Sequence, residues 1–155
     1  MSSEMETLYQ QLILDHSRHP EGFGDTTGWQ PQSRQINPTC GDDITLALRF
    51  DGDRIAEVRW QGSGCAISQA SASLLAGLVE GKTVDEALAL ASDFREVMHS
   101  RGKLELDPER FDDAVALNGV SKYLGRIKCA MLGWVALEAC LTEASAASAA
   151  PAPTG

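Results

Sequence analysis

Three cysteines and an aspartate stand where metal ligation explains them more simply than packing does. Cys40 and Asp42 lie in Asn37-Pro-Thr-Cys-Gly-Asp42, Cys65 follows Gly62-Ser-Gly64, and Cys129 follows Arg126-Ile-Lys128. Three thiolates and one carboxylate make a four-ligand set, and zinc takes cysteine sulfur and aspartate oxygen in a tetrahedral arrangement. A site closed by protein ligands that includes a weaker oxygen donor can open by exchanging a ligand, which makes the four residues candidates for chemistry as well as structure.

Each has a plainer reading beside that one. Cys40 sits in a loop between Pro38 and Gly41, where its side chain need not enter the core. Asp42, after a glycine at the start of a strand, is commonly a turn or capping residue, and it reaches Cys40 only if the Gly41 turn brings the two together. Cys65 opens a helix, where the dipole and free N–H groups favour a thiolate, although a small residue there can simply pack on a sheet. Cys129 follows Lys128 inside the last helix, and a helical cysteine is usually core.

Cys140 is an internal control. Eleven positions after Cys129 it returns to nearly the same helical face about 16 Å farther along the axis, so both cannot bind one metal, and Cys140 is assigned to packing or surface. His16 and His19 close the first helix, where carbonyls and the dipole account for them. His99 adjoins a polar break and reads as solvated surface.

The elements that must position these residues follow from periodicity. Met5, Leu8, Tyr9, Leu12 and Ile13 predict a helix over 4–18, and residues 20–33 a loop. Ile44, Leu46, Leu48 and Phe50 alternate with polar or small residues, as do Ile55, Val58 and Trp60 after Asp51-Gly-Asp53, so a hairpin is expected, with a third strand near 34–37. A helix from about Ile67 to Leu78 follows, then one capped by Thr83 with Glu86 in a capping box. A short helix from Asp107 to Leu117 and a last helix from about Val120 to Thr142 complete the set. The fold class is α+β, with a small antiparallel sheet of about three strands and about five helices. Residues 1–143 form one domain, and 144–155, rich in Ala, Ser and Pro, are expected as a disordered tail.

A chain of 155 residues supports one domain with a real core. Its net charge of −9 argues against nucleic acid or an anionic membrane as partner. No secretory signal and no apolar run long enough for a membrane span are evident, so a cytoplasmic protein is expected, with reduced thiols. Phosphate-loop, dinucleotide and nucleophile-elbow motifs are missing from the sequence.

Taken in order, Leu8-Tyr-Gln-Gln-Leu-Ile-Leu-Asp-His16 with Arg18-His-Pro20, Asn37 to Asp42, Gly62-Ser-Gly-Cys-Ala-Ile-Ser68, Gly81-Lys-Thr-Val-Asp-Glu-Ala-Leu88 and Arg126-Ile-Lys-Cys-Ala-Met-Leu-Gly-Trp134 form a specific signature. It resembles the SufU family of iron–sulfur assembly proteins, relatives of IscU-type scaffolds, over about residues 7–141. Lys128 stands where IscU-type proteins place a histidine, and residues 92–118 resemble the helical segment that SufU-type proteins insert. The resemblance implies zinc held by Cys40, Asp42, Cys65 and Cys129, and sulfur accepted from a SufS-type cysteine desulfurase on its way to downstream iron–sulfur assembly proteins. It also implies that Arg126 contacts the desulfurase. Cys40 is the expected sulfur acceptor, because it sits on a loop while Cys65 and Cys129 are tied to helices. The alternative is a scaffold for a [2Fe-2S] cluster, since ligand types alone do not separate iron from zinc.

Overall fold

Alternation sets the sheet, although Ala47, on the opposite face, is buried as well. Even-numbered residues of the second strand, Asp42, Ile44, Leu46 and Leu48, are all buried on one face, whereas Asp43, Thr45 and Arg49 are not. The computed structural model describes Ser3 to Ala149, with side-chain surroundings from Thr7 to Ala144. Within it the strands are β1 (Gln32–Asn37), β2 (Asp42–Asp51) and β3 (Arg54–Ser63), antiparallel in the order β1-β2-β3. The β2–β3 register shifts between Arg49 and Phe50, because Glu57 opposes Arg49 while Ile55 opposes Phe50. Ala56 is thus the extra residue of a bulge, and the change of phase lets both Ile55 and Val58 turn inward although they are three apart.

The helices are α1 (Ser3–Arg18), α2 (Ala66–Val79), α3 (Val84–Met98), α4 (Pro108–Phe111) and α5 (Leu124–Ala149), with a 3₁₀ segment, Asp112–Lys122, between the last two. The expected short helix through Leu117 thus gives way after Phe111, where Asp112 takes a positive φ of 47°. The last helix begins at Leu124, four residues later than its apolar pattern suggested, because the 3₁₀ turns occupy Val120–Lys122. It also continues past Thr142 to Ala149 through an Ala-rich stretch with high helix propensity, so the expected tail begins, in its first residues, as helix. The remainder of that tail, from residue 150, lies outside the described residues.

Helix α5 packs against α2, α3 and the inner face of β1 and β2, and α1 packs on α2. The core between them includes Ile44, Leu46, Leu48, Leu75, Phe94, Phe111, Trp134 and Leu137. Phe94 and Trp134 stack with ring centroids 4.5 Å apart. Thr83 and Glu86 form the expected capping box at the start of α3, each side chain bonded to the other's backbone N–H. Trp29, within the segment read as a loop, is buried, with the guanidinium groups of Arg49 and Arg59 4.0 and 4.5 Å from its ring. No helix among the described residues is long and apolar enough to cross a membrane.

Candidate metal centre

Period-2 geometry answers the question that the sequence left open for Asp42. As the first residue of β2 it shares the face of Ile44 and Leu46, so its side chain enters the protein and is fully buried, while its neighbour Asp43 turns outward to pair with Arg34 at 2.6 Å. Asn37 opposes Asp42 across the β1–β2 ladder and is likewise buried. The chain reverses between them at Thr39-Cys40-Gly41, with the Cys40 N–H donating to the Asn37 carbonyl at 3.3 Å. Gly41, at φ +74°, supplies the left-handed step that a side chain would strain. The turn thereby holds Cys40 directly beside the end of the strand that carries Asp42.

Helix α5 brings the third donor. Cys129 is fully buried, and its Sγ lies 3.3 Å from Cys40 Sγ and 3.8 Å from the Asn37 Nδ2 that donates toward it. One ligand atom from each of Cys40, Asp42 and Cys129 falls within 4.8 Å of the others. Burial is the main cause that pushes the Cys129 thiol well above its ordinary pKa, followed by the neighbouring Cys40, Asp42 and Cys65 side chains. A positive charge beside this thiol, such as that of a metal ion, would favour the thiolate.

Cys65 falls outside this tightest group, although it is near enough to Cys129 to add to that push. It occupies the N-cap of α2 in an extended conformation, and its side chain makes no capping bond. The backbone does the positioning instead: Cys65 N–H donates to Asp42 Oδ1 at 2.8 Å. Ser68 Oγ stands 3.2 Å from the same oxygen. The other oxygen, Oδ2, is buried without a hydrogen-bond partner among the described residues.

A buried carboxylate oxygen left bare is costly, and a metal ion is one remedy. The donor chemistry agrees: two thiols and an oxygen converge, with a third thiol adjacent. Sulfurs on one tetrahedral zinc stand about 3.8 Å apart when each bond is about 2.3 Å, so the Cys40–Cys129 separation is close to what such an ion demands. The residues present fit a zinc-type centre.

The other sequence candidates divide cleanly. Arg126 and Lys128 are exposed near the start of α5, and Arg126 has no ion-pair partner among the described residues. Cys140 is fully buried in the core, its Sγ 3.4 Å from the Leu46 carbonyl. His16, expected to answer helix carbonyls, instead places Nδ1 2.7 Å from Ser73 Oγ on α2. His99 does close its own helix, with Nδ1 2.9 Å from the Arg95 carbonyl. Asn37 and Ser68 were not singled out by sequence reasoning as functional residues. Both lie in the quoted motif segments, but a bond from one element to another leaves no periodic trace.

Comparison with known proteins gives the family. The family model described as NifU-like N terminal domain matches residues 8–141. The chain is 40% identical over 137 residues to the zinc-dependent sulfurtransferase SufU of Bacillus subtilis, covering 88% of this chain and 91% of that protein. It is also 40% identical over 136 residues to the iron–sulfur cluster assembly scaffold protein IscU of Streptococcus pyogenes, covering 88% and 84%. A crystal structure from Fervidobacterium islandicum, put forward as an iron–sulfur cluster assembly scaffold for the SUF system, superposes with a TM-score of 0.74 at 33% identity, covering 84% of this chain and 94% of that one. The chain belongs to the family of NifU-like N-terminal domains, among the IscU/SufU-type proteins of iron–sulfur cluster assembly.

Proposed function

We propose that this protein is a zinc-dependent sulfurtransferase, which accepts persulfide sulfur from a SufS-type cysteine desulfurase and passes it toward downstream iron–sulfur assembly proteins. The observation that carries the reading is the convergence of ligand atoms from Cys40, Asp42 and Cys129 within 4.8 Å of one another, where Asp42 also has a buried oxygen without a hydrogen-bond partner among the described residues. Cys65 completes the donor set as the fourth ligand. Zinc bound there supplies the positive charge that keeps buried sulfurs deprotonated at neutral pH. The reading takes the chain to be cytoplasmic, where free thiols persist.

Cys40 is the acceptor. It is half-buried in a turn, whereas Cys129 is fully buried in a long helix and Cys65 begins another. The Cys40 thiolate donates its electron pair to the outer sulfur of the desulfurase persulfide. One S–S bond forms as the donor's S–S bond breaks, and the donor cysteine leaves as a thiolate. Cys40 then carries the persulfide with no net oxidation or reduction. Arg126, exposed near the start of α5, offers its guanidinium to a carboxylate of the desulfurase.

Mixing the protein with its desulfurase and cysteine tests this. Peptide mass spectrometry should find one added sulfur atom on Cys40, and Cys40→Ala should abolish stimulation of sulfide release while keeping the fold. Full stimulation by Cys40→Ala would refute the acceptor role. The second reading, a scaffold for a [2Fe-2S] cluster, is favoured by the name of the Streptococcus relative and by a donor set that also suits iron. It predicts visible cluster absorbance that moves intact to an apo-acceptor.

A further inference from the structure

Ser68 lies one turn into α2 and is fully buried. Its hydroxyl carries one proton and two lone pairs, and three groups surround it: the Cys65 carbonyl at 3.0 Å, Asp42 Oδ1 at 3.2 Å and Cys65 Sγ at 3.9 Å. A serine inside a helix ordinarily satisfies itself on a carbonyl three or four residues back, and Cys65 O is within reach, but the hydroxyl has a single proton and shares it between Cys65 O and Asp42 Oδ1. What such a role does not require is a carboxylate oxygen from a strand 26 positions earlier in sequence.

We propose that Ser68 is a positioning residue for the metal centre, which together with the Cys65 amide clamps Oδ1 of Asp42 and leaves Oδ2 as the one oxygen offered to the metal. The proposal rests on the metal reading above and adds to it a division of labour. Two donors converge on Oδ1 and none among the described residues reaches Oδ2. A carboxylate held in this way neither exchanges its two oxygens nor chelates through both. Gly64 closes over the same atoms: a Cβ there would stand 2.4 Å from Asp42 Oδ1 and 2.6 Å from Ser68 Oγ. Both donors belong to the start of α2, so Asp42 and Cys65 are fastened to one helix end. Cys40, which has no such clamp, is the ligand free to depart.

The test uses metal binding and spectroscopy on the whole chain. Zinc affinity is measured by competition with a chromogenic chelator, and the ligand field by the visible d–d bands of the cobalt(II)-substituted protein. Ser68→Ala should bind zinc about ten- to hundredfold more weakly and shift the cobalt bands, with far-UV circular dichroism unchanged. Ser71→Ala is the control, since Ser71 is buried on the same helix but bonds the Ala130 carbonyl and the Trp134 indole instead. It should lose thermal stability and leave the cobalt bands alone. Should Ser68→Ala fail to fold, Gly64→Ala asks the same question by pushing on Oδ1 without deleting the hydroxyl, and it too should shift the bands. Wild-type affinity and bands in Ser68→Ala, or unshifted bands in Gly64→Ala, would overturn the clamp. A wild-type chain that takes up neither zinc nor cobalt would sink the metal reading itself, and Ser68's role with it.

Discussion

Cys129 and Cys140 sit on the same helix, both fully buried, and only their surroundings separate them. Cys129 faces Cys40, Asp42 and the Asn37 amide at the end of the sheet where β1 turns into β2. Cys140, eleven residues on, faces the Leu46 carbonyl in the middle of β2. Burial raises the pKa of both thiols. Neither residue type nor depth therefore marks a ligand. What marks it is convergence: at one end of α5 the neighbours are other candidate ligand atoms, and at the other a backbone carbonyl within the apolar core.

The strongest way to break this contrast is to remove each thiol in turn. Cys129→Ser should lose stoichiometric zinc, with affinity down by more than about hundredfold, because one of the proposed thiolate ligands is removed outright. Cys140→Ser should keep wild-type metal content. Elemental analysis after dialysis against a weak chelator reads both, and loss of metal from the Cys140 variant would erase the distinction.

The core end can be attacked without touching the donors. Trp134 stacks on Phe94 and bonds Ser71 through its indole N–H, so Trp134→Ala should cost about 3–5 kcal/mol in denaturant melts of the metal-free protein. The folded fraction should still take up zinc. If zinc binding disappears in the folded state as well, the two ends are not separable.

Alkaline pH sharpens the comparison further. Burial, and then the charge of Glu143, push the Cys140 thiol from its ordinary 9.0 up to about 12. The folded thiol keeps its proton where the unfolded one gives it up, so its contribution is whole below the unfolded pKa and is lost as pH rises from about 9 toward 12. The limiting slope is about 1.4 kcal/mol per pH unit. Cys140→Ala should therefore show a shallower alkaline decline in urea midpoint than the parent, and an unchanged slope would contradict the assignment.

The smallest effect lies at the start of α3. Thr83→Ala removes half of the capping box and should lower stability by about 1 kcal/mol, with no change in metal affinity. Thermal melts and chelator competition on that variant set the background against which the others are judged.

Much of this contrast was legible in the sequence because it follows from local periodicity. Alternation in 44–50 and 55–60 marked the hairpin, the Thr83/Glu86 spacing marked the cap, and helical pitch alone separated Cys140 from Cys129. The pattern was less informative where tertiary contacts decide. The 3₁₀ run after Phe111 interrupts an apolar stripe that suits either kind of helix, and Trp29 is buried by two arginines from strands that follow it. Asp42 looked like a turn residue because its sequence neighbours are turn formers. Its strand parity, fixed only once Asn37 pairs with it, is what sends it inward. The supporting roles of Asn37 and Ser68 are cross-element bonds with no signature in composition or spacing.

X-ray absorption at the zinc edge of the purified chain tests most directly whether one metal is held between the β1–β2 turn, the start of α2 and the buried face of α5. The prediction is one zinc per chain with three sulfur neighbours at about 2.3 Å and one oxygen at about 2.0 Å, falling to two sulfurs in any zinc retained by Cys129→Ser. A first shell without sulfur, or one that Cys129→Ser leaves unchanged, would contradict it.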